Sequence, residues 1–551
     1  MSWRIETDLR FRVESKGIGG PYDRIELPAG VERNQNTLGF KLDAAYGSFK
    51  GVAAVDFVLN GYSAELEGIG SLSRIEDVQR YRFDVPALYI EAKDLFVDGL
   101  DLRIGQQLVL WGEGDQFNPT NNLNADDLRD PLLFGKQQGN FMVKLDYWVT
   151  ENFSLSGVVV PIFRPALLPE SAALGAGAVD RLPFTDAAIR RRLESEFAAS
   201  GSALIDHPTV VSTLTPVLPE PTFDNIQVAF RLAGTIGEQD IALSYYNGRT
   251  DFPIPLQNHT RQSVGERCNP NVPGECVSGL LETDVTLHYP RMHVYGLNAA
   301  GEFNPFSWIS EDINGIGYRF EGALVVPQRS TVKITQDALA LVVPQPAGEY
   351  DYDGDGVPGG DEPAAVDSTP FLKWVVGLDY TFGEHLYTNA QWVHGIVDEY
   401  GAGDFISEGY AVRQSGVTSS ETETLRCVLA KDGTMCASEI LRPRIGDYIV
   451  LGVDVKFLSD AALLRIFTIW DVTGVVEERW DPARGERVQT SRSFFTKEGF
   501  SAVIYPELSY NFGNGLELSA GALVQLGKDY TKFGDPAAGG STVFTRARFS
   551  M

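Results

Sequence analysis

Residues 3–14 alternate between apolar and charged side chains. Ile5, Leu9 and Phe11 lie on one side of the pattern, and every residue on the other side is charged. Only a β-strand separates residues in this way, because its successive side chains point to opposite faces. The pattern alone fits both a soluble sheet with one solvated face and a sheet that spans a membrane, so the connections between strands must decide.

The same alternation recurs along the chain and predicts eighteen strands. These segments are 3–14, 37–47, 51–60, 86–96, 100–111, 141–150, 153–164, 225–236, 239–248, 292–303, 315–327, 371–382, 385–397, 447–458, 462–472, 499–512, 516–527 and 542–551. Their lengths suit the ~9–11 residues that a tilted strand needs to cross a membrane.

Short and long connections follow each other in turn. Seven short turns lie at 47–51, 97–99, 151–152, 237–238, 383–384, 459–460 and 513–515, and an eighth, which begins at Asn304, is looser. All other connections are longer. A transmembrane β-barrel has this rhythm, with short periplasmic turns and long external loops, whereas a soluble sandwich does not need it. The sequence therefore predicts an all-β fold: one closed antiparallel barrel of about 18 strands over residues 1–551.

The ends of the strands support a barrel. Phe303, Phe382 and Phe512 lie beside short turns, where an interfacial aromatic girdle is expected, although core aromatics would give the same pattern. Outer-membrane barrels usually end in an aromatic residue on an alternating strand, and this chain resembles them except that it ends in Met551. Closure would set the last strand beside the first, so we expect Arg546 and Arg548 to face Glu6 and Asp8.

Charge excludes some partners. Lys and Arg number 46 against 74 Asp and Glu, which gives a net charge of −28, so a nucleic acid partner is not expected. No run of ~18 apolar residues predicts a helical membrane span. We expect much of the negative charge to lie in the external loops, where it would attract divalent cations.

The inward faces of the predicted strands carry charges of both signs. The predicted pore-lining residues are Arg4, Glu6, Asp8, Arg10, Arg12, Arg103, Gln107, Trp111, Lys373, Asp379, Asp454, Lys456, Arg546 and Arg548. A mixed wall suits polar or amphipathic solutes. The first hypothesis is therefore a channel or export conduit in the outer membrane of a Gram-negative bacterium, in contact with outer-membrane lipid and lipopolysaccharide. The alternatives are a plugged, calcium-braced barrel that binds partners at the surface, and a soluble secreted multidomain β protein.

Four cysteines form two close pairs in polar stretches. Cys268 with Cys276 and Cys427 with Cys436 predict two small loop disulfides, which would place the loops in an oxidising compartment. Free thiols in a cytosolic protein are the alternative, and the spacing does not favour zinc. The chain opens without a basic and then apolar leader, and we expect Met1 to be a start added to a mature chain.

A calcium-binding motif lies in the long loop 328–370. Carboxylates at Asp351, Asp353 and Asp355, the carbonyl of Val357 and the carboxylate of Glu362 match the twelve-residue calcium loop. The motif resembles thrombospondin-type and dockerin loops, since prolines leave no flanking helices. The sequence therefore predicts a structural Ca²⁺, with an ion-free acidic loop as the alternative.

The longest loop, 165–224, predicts one short amphipathic helix at 186–200. Apolar residues recur in it at spacings of four, and Thr185 or Asp186 can cap it. This helix would plug the pore or cover it as a lid. The six histidines of the chain show no metal spacing, and no nucleophile or phosphate motif is present, so the protein is not expected to be an enzyme.

A second motif covers residues 103–134. It comprises Arg103-Ile-Gly-Gln-Gln107, Trp111-Gly-Glu113, Asn118-Pro119 and Asp127-Leu-Arg129. Here the sequence resembles a family of uncharacterised proteobacterial outer-membrane barrels, often linked with inner-membrane efflux-type pumps, and porin-like and alginate-exporter-like barrels are similar. The resemblance implies an inner-membrane pump or a periplasmic protein as partner. The Asn-rich part either folds inward as a constriction or forms an external loop with Asx turns.

Overall fold

In the computed structural model, the alternating segments form eighteen antiparallel strands that close into one barrel. The strands are β1 (Ser2–Arg12), β2 (Gly30–Tyr46), β3 (Phe49–Asn60), β4 (Tyr81–Ala92), β5 (Leu100–Gln107), β6 (Asn140–Thr150), β7 (Phe153–Val160), β8 (Gln227–Ile236), β9 (Gln239–Arg249), β10 (Arg291–Phe303), β11 (Ile316–Pro327), β12 (Phe371–Phe382), β13 (Leu386–His394), β14 (Asp447–Phe457), β15 (Ala462–Asp471), β16 (Ser501–Asn511), β17 (Leu516–Gly527) and β18 (Thr542–Ser550). The structure describes residues 1–18, 25–61, 80–172, 209–268, 272–274, 276–278, 281–305, 314–328, 333–338, 347–349, 369–400, 439–442, 445–481, 484 and 486–551.

The predicted fold class is confirmed, and each predicted strand has its counterpart in the barrel. The largest differences are at strand ends. β2 begins at Gly30 rather than at residue 37, β4 begins at Tyr81 rather than at residue 86, and β5 ends at Gln107 rather than at residue 111. β5 ends where β6 begins, since Asn140 pairs with Gln107, and beyond it the backbone of Val109 bonds to the side chain of Asn124 instead of continuing the strand.

The first and last strands close the barrel in the predicted register. Glu6 lies opposite Arg548, and Asp8 lies opposite Arg546. Arg548 Nε donates to Glu6 Oε2 at 3.0 Å, and Arg546 Nη2 lies 3.6 Å from Asp8 Oδ2. The ladder of charges across the seam is thus confirmed.

The outer surface of the barrel is apolar. Outward positions such as Leu88, Leu232 and Leu378 are exposed, and their neighbours in sequence face the lumen. Phe382 and Phe512 are exposed beside the short turns. An apolar band with aromatic residues at its rim is the surface of an outer-membrane barrel. The protein is therefore located in the outer membrane of a Gram-negative bacterium, with the short turns and both chain ends on the periplasmic side.

The external loops build small sheets of their own, which the sequence patterns did not predict. Five strands form the largest: Thr209–Pro216, Leu281–His288, Ile254–Gln262, Lys333–Gln336 and Gly348–Glu349. A three-stranded sheet comprises Glu439–Leu441, Val475–Asp481 and Glu486–Arg492. Two-stranded sheets pair Lys16–Ile18 with Ile25–Leu27 and Glu266–Cys268 with Cys276–Ser278, whereas a third, Ala125–Asp126 with Gln137–Gln138, lies in the connection between β5 and β6. Short 3-10 turns occur at Phe223–Asn225 and Pro536–Ala538.

Among the described residues, no helix is long and apolar enough to span a membrane.

The predicted disulfide between Cys268 and Cys276 is confirmed and joins the two strands of an external hairpin. Three other predictions fall outside the described residues. These are the bond between Cys427 and Cys436, the calcium loop 351–362 and the helix 186–200.

Candidate functional site

The connection between β5 and β6, residues 108–139, folds into the barrel, and we call it the lumen segment. It leaves the wall after the Arg-x-Gly-x-Gln motif. Gly105 in that motif has a φ of +131°, and a Cβ there would lie 2.3 Å from the carbonyl oxygen of Leu88. Only glycine permits this close approach of β4 and β5. Of the two predicted arrangements for the Asn-rich stretch, the inward one is confirmed by its contacts with the inner wall.

Amide side chains satisfy the backbone of the lumen segment, which has few strand neighbours. Asn124 accepts from the Val109 N–H at 3.2 Å and donates to the Val109 carbonyl at 2.7 Å. Asn140 donates to the carbonyl of Leu123 at 2.9 Å. Buried backbone groups must be paired, so the Asn and Gln residues of this region allow an irregular segment to lie inside the barrel.

Apolar side chains of the lumen segment pack against the external half of the wall in two clusters. Val109, Trp111 and Leu123 contact one side of the wall, and Phe117 and Leu132 contact the other. The wall residues of the first cluster include Met142, Val158, Val160, Ala229, Tyr246, Met292, Val294, Ala323, Val325 and Phe371. Those of the second include Val375, Val393, Tyr448, Val450, Ile469, Val503, Tyr505, Leu523 and Phe544.

Glu321 of β11 holds the near end of the lumen segment. Its carboxylate accepts from the N–H groups of Glu113 at 2.8 Å, Gly114 at 3.1 Å and Thr120 at 2.7 Å, and from Thr120 Oγ1 at 2.8 Å. The side chain is almost fully buried. Four hydrogen bonds converge on this one carboxylate and fix the backbone of the turn around it. Glu321 thus replaces the missing strand partners of this turn.

Asp115 connects the segment to the opposite part of the wall. Arg319 Nη1 lies 2.6 Å from Asp115 Oδ1, and Asn389 Nδ2 donates to Oδ2 at 2.7 Å. The Asp115 N–H donates to Gln391 Oε1 at 3.2 Å. The three wall residues come from β11 and β13, so the segment crosses from β5 to this side of the lumen.

The far end of the segment returns to the seam. Asp130 receives Arg10 Nη1 at 2.5 Å and Arg33 Nη1 at 3.1 Å. Burial alone would raise the pKa of Asp130, but the hydrogen bond from Arg10 and the charges of Arg33 and Arg10 outweigh it and hold this pKa well below its usual range. Burial would also raise the pKa of Asp127, but Arg129 and Lys136 outweigh burial and lower this pKa to about 2.

The periplasmic half of the lumen differs from the external half, because its charged side chains are exposed. Arg465 pairs with Asp454 at 2.8 Å and Arg4 with Asp56 at 2.7 Å, with the two arginines about half exposed at 50% and 47%. Lys456 is also exposed. This half has the open, mixed-charge wall that the sequence predicts.

Five of the predicted pore-lining residues do not contact open space. These are Asp8, Arg10, Arg12, Gln107 and Trp111, each less than a tenth exposed. The lumen segment and neighbouring wall groups cover them. For example, Arg10 donates to Asp130, and the side chain of Gln107 donates to the carbonyl of Met142. For these residues the prediction of an aqueous lining is wrong.

The other nine predicted residues lie on the inner side with at least part of the side chain exposed, and their role in a conducting path stays a prediction. They are Arg4, Glu6, Arg103, Lys373, Asp379, Asp454, Lys456, Arg546 and Arg548. Most of them form ion pairs: Arg103 lies 3.3 Å from Glu91, and Asp379 pairs with Arg319. Their paired state keeps the wall nearly neutral.

Sequence patterns missed Glu321, Asp115 and Asp130 as anchors, because each depends on a partner far away in sequence. One signal for an inward segment was present. The run from Tyr448 to Leu451 is apolar on both faces, as a strand is when both faces are covered. A lumen filled only with water would favour polar residues at Tyr448 and Val450.

No protein-family model and no curated protein matches this sequence. Among solved structures, OccAB3 of Acinetobacter baumannii is 10% identical with a TM-score of 0.44, over 100% of this chain and 98% of that chain. OccK2 (OpdF) of Pseudomonas aeruginosa is 10% identical with a TM-score of 0.43, over 100% and 96%. The outer membrane protein opdK of Pseudomonas aeruginosa is 9% identical with a TM-score of 0.43, over 100% and 97%. Because identities and TM-scores are this low, the function of this chain must be inferred from its own residues.

Proposed function

We propose that the protein is an outer-membrane channel or export conduit for polar or amphipathic solutes, with the lumen segment as its constriction. The observation that carries this proposal is the exposed, mixed-charge wall of the periplasmic half. Arg4, Arg465 and Arg548 are 47%, 50% and 42% exposed on the lumen side. Ionised groups in such numbers favour a water-filled vestibule. Transport through it requires no catalytic step.

The mixture of signs bears on selectivity. Arg465 with Asp454 and Arg548 with Glu6 form nearly neutral pairs along the wall. A wall of this kind does not reject either sign strongly, whereas a ring of one sign would. We therefore propose polar and amphipathic solutes rather than one class of ion.

A second candidate function is a plugged barrel that binds partners at its external surface. It is favoured by the number of anchors, since Glu321 and Asp115 fix the lumen segment to β11 and β13 and Asp130 fixes it to β1. Under this proposal, a structural Ca²⁺ at residues 351–362 would brace the external loops. An inner-membrane pump or a periplasmic partner remains part of the first proposal.

Current recordings in planar bilayers test both candidates. Gly135 lies beside Gln116, because a Cβ on Gly135 would be 2.6 Å from the Gln116 carbonyl oxygen. Residues 117–134 can therefore be excised and replaced by two glycines without stretching the wall. A channel predicts discrete current steps for the wild type and larger steps for this variant.

The plugged barrel predicts a silent wild type and a conducting variant. Insertion is checked independently by heat-modifiable migration on gels. If both proteins insert and both are silent, the channel proposal is wrong.

A further inference from the structure

A cavity of about 80 Å³ lies between the lumen segment and the external ends of the strands from β7 to β13. A buried water needs roughly 10–15 Å³ of such space, so the cavity has room for a small solute. It lies on the side from which an external solute would reach the constriction. Its polar lining includes Asn118, Asn121, Asp126, Arg164, Arg249, Asp251, Lys373 and Tyr400.

Five ionisable side chains line this cavity. Two are carboxylates, Asp126 and Asp251, and three are cations, Arg164, Arg249 and Lys373. Within the described part of the chain, none of the five forms an ion pair. Charges in the rest of the lumen are mostly paired. Unpaired charges of both signs in one cavity are costly unless something else compensates them.

The bonds of these groups go mainly to the backbone. Asp251 Oδ2 accepts from the N–H of Asp126 at 2.8 Å. Arg164 Nη1 donates to the carbonyl of Gly139 at 2.8 Å, and Lys373 Nζ donates to the carbonyl of Ile396 at 2.7 Å. These bonds fix the positions of the charges, and Lys373 compensates Asp126 and Asp251 only through space, without forming an ion pair with either. The groups are thus held ready for a charged partner.

Several polar atoms at the cavity are also unpaired. Among the described residues, Asn118 Oδ1, Asn121 Oδ1, Arg249 Nε and Tyr400 Oη are buried without a hydrogen-bond partner. Asn121 is only 8% exposed. Buried polar atoms are normally satisfied. Their occurrence together, beside the unpaired charges, indicates a site for a ligand with several hydrogen-bonding groups.

We propose that this cavity binds a small zwitterionic solute that carries one ammonium and one carboxylate group. Asp126 and Asp251 bind the ammonium group, and Arg164 and Arg249 bind the carboxylate. A solute with a single charge would compensate only one of these sets, whereas a zwitterion compensates both. The inference rests on the proposed function, because it makes the cavity the recognition site at the external side of the constriction.

The state of Asp251 agrees with this role. Burial raises its pKa to about 6, although the N–H of Asp126 partly opposes this. An ammonium group beside the carboxylate would favour its charged form. Binding should therefore release protons when the pH is below about 6.

Calorimetric titration of the folded protein in detergent tests the site without requiring conduction. The probes are L-alanine, propionate, ethylamine and propanamide, which carry both charges, only the negative charge, only the positive charge and no charge, respectively. We expect L-alanine to bind at least about tenfold more tightly than the other three, since each of them lacks one or both charge-assisted contacts. β-Alanine and γ-aminobutyrate then define the best separation of the two charges.

Two variants separate the proposed roles. Asp251→Asn should weaken L-alanine binding about tenfold or more and leave propionate unchanged, because only the ammonium contact is lost. Arg164→Gln should weaken both ligands. The control, Asp240→Asn, lies at the short-turn end of β9 and should change neither.

The inference is overturned if L-alanine binds no more tightly than propionate, or if Asp251→Asn weakens both ligands equally. Current recordings distinguish this failure from failure of the channel. Conduction without zwitterion binding would overturn the site and keep the channel. Binding without conduction would support the site and favour the plugged barrel.

Discussion

Arg10 in the first strand and Asp130 in the lumen segment form a two-pronged ion pair. Nη1 lies 2.5 Å from Oδ1 and Nη2 lies 2.6 Å from Oδ2, and both side chains are buried. The same guanidinium also contacts Asp8. The pair joins the seam of the barrel to a segment 120 residues away. Arg10 therefore acts as an anchor for the constriction rather than as part of an aqueous wall.

Loss of one partner of this pair should be costly. Asp130→Asn would leave the guanidinium of Arg10 buried with Asp8 as its remaining ion-pair partner among the described residues, and we expect a loss of about 3 kcal/mol in the free energy of unfolding. Urea unfolding in detergent micelles measures it. The matched control is Asp43→Asn, whose exposed pair with Lys41 at 3.5 Å should contribute under about 0.5 kcal/mol. Equal effects of the two variants would contradict the anchor role.

Glu321 should control whether the lumen segment stays in place. Glu321→Ala removes the acceptor of four hydrogen bonds and leaves buried N–H groups unpaired, each at a cost of about 1–3 kcal/mol. Relaxation of the segment would relieve part of this cost, so we expect it to detach from β11. Noisier and larger current steps, together with faster proteolysis between residues 113 and 120, would show this detachment.

Glu302→Ala is the control for that experiment. Glu302 lies at the exposed periplasmic end of β10 and does not contact the lumen segment. The Glu302→Ala variant should show the same current noise and the same rate of proteolysis as the wild type. Unchanged noise in both variants would mean that the apolar clusters alone hold the segment.

The barrel strands could be predicted because each depends on a local pattern. Ile5 and Phe11 face lipid and Asp8 and Arg10 face inward, so alternation reveals the strand whatever lies inside. Alternation does not show whether an inward side chain contacts water or is covered by another segment. The same alternation continues to Trp111, yet β5 ends at Gln107, because the backbone of Val109 bonds to the distant side chain of Asn124 rather than to a neighbouring strand.

The candidate site depends on contacts that no local pattern encodes. Asp130 contacts Arg10, and Glu321 contacts Thr120, which lies 201 residues away. Asn and Gln side chains can bond to the backbone of an external loop, as in an Asx turn, or to buried backbone inside the barrel. The composition of the lumen segment therefore did not distinguish an external loop from an inward one. The apolar inner face near Tyr448 distinguishes them, since it requires a covering segment.

Charge complementarity across the seam gives a test of the closing register. Arg548→Glu should place two carboxylates opposite each other at Glu6, and Glu6→Arg should place two guanidinium groups together. We expect each single change to cost up to about 1 kcal/mol and the double exchange to recover most of it, because the pair is partly exposed. Unfolding free energies of the four proteins give the interaction energy. Additive effects would contradict the paired register.

Acid should weaken the lumen segment through Asp127. Its pKa is lowered from 3.8 to about 2, so the folded state favours the charged carboxylate. Such a group stabilises the fold above its unfolded pKa, and this contribution is lost as the pH falls from about 4 through 2. The full shift in pKa would correspond to about 2 kcal/mol of stability. Arg129 and Lys136 are 31% and 44% exposed, so we expect about 1 kcal/mol after solvent screening. Unfolding free energies measured between pH 2 and 5 should fall less steeply for Asp127→Asn than for the wild type. Parallel curves would show that Asp127 does not contribute, and that other carboxylates such as Asp130 account for the loss of stability in acid.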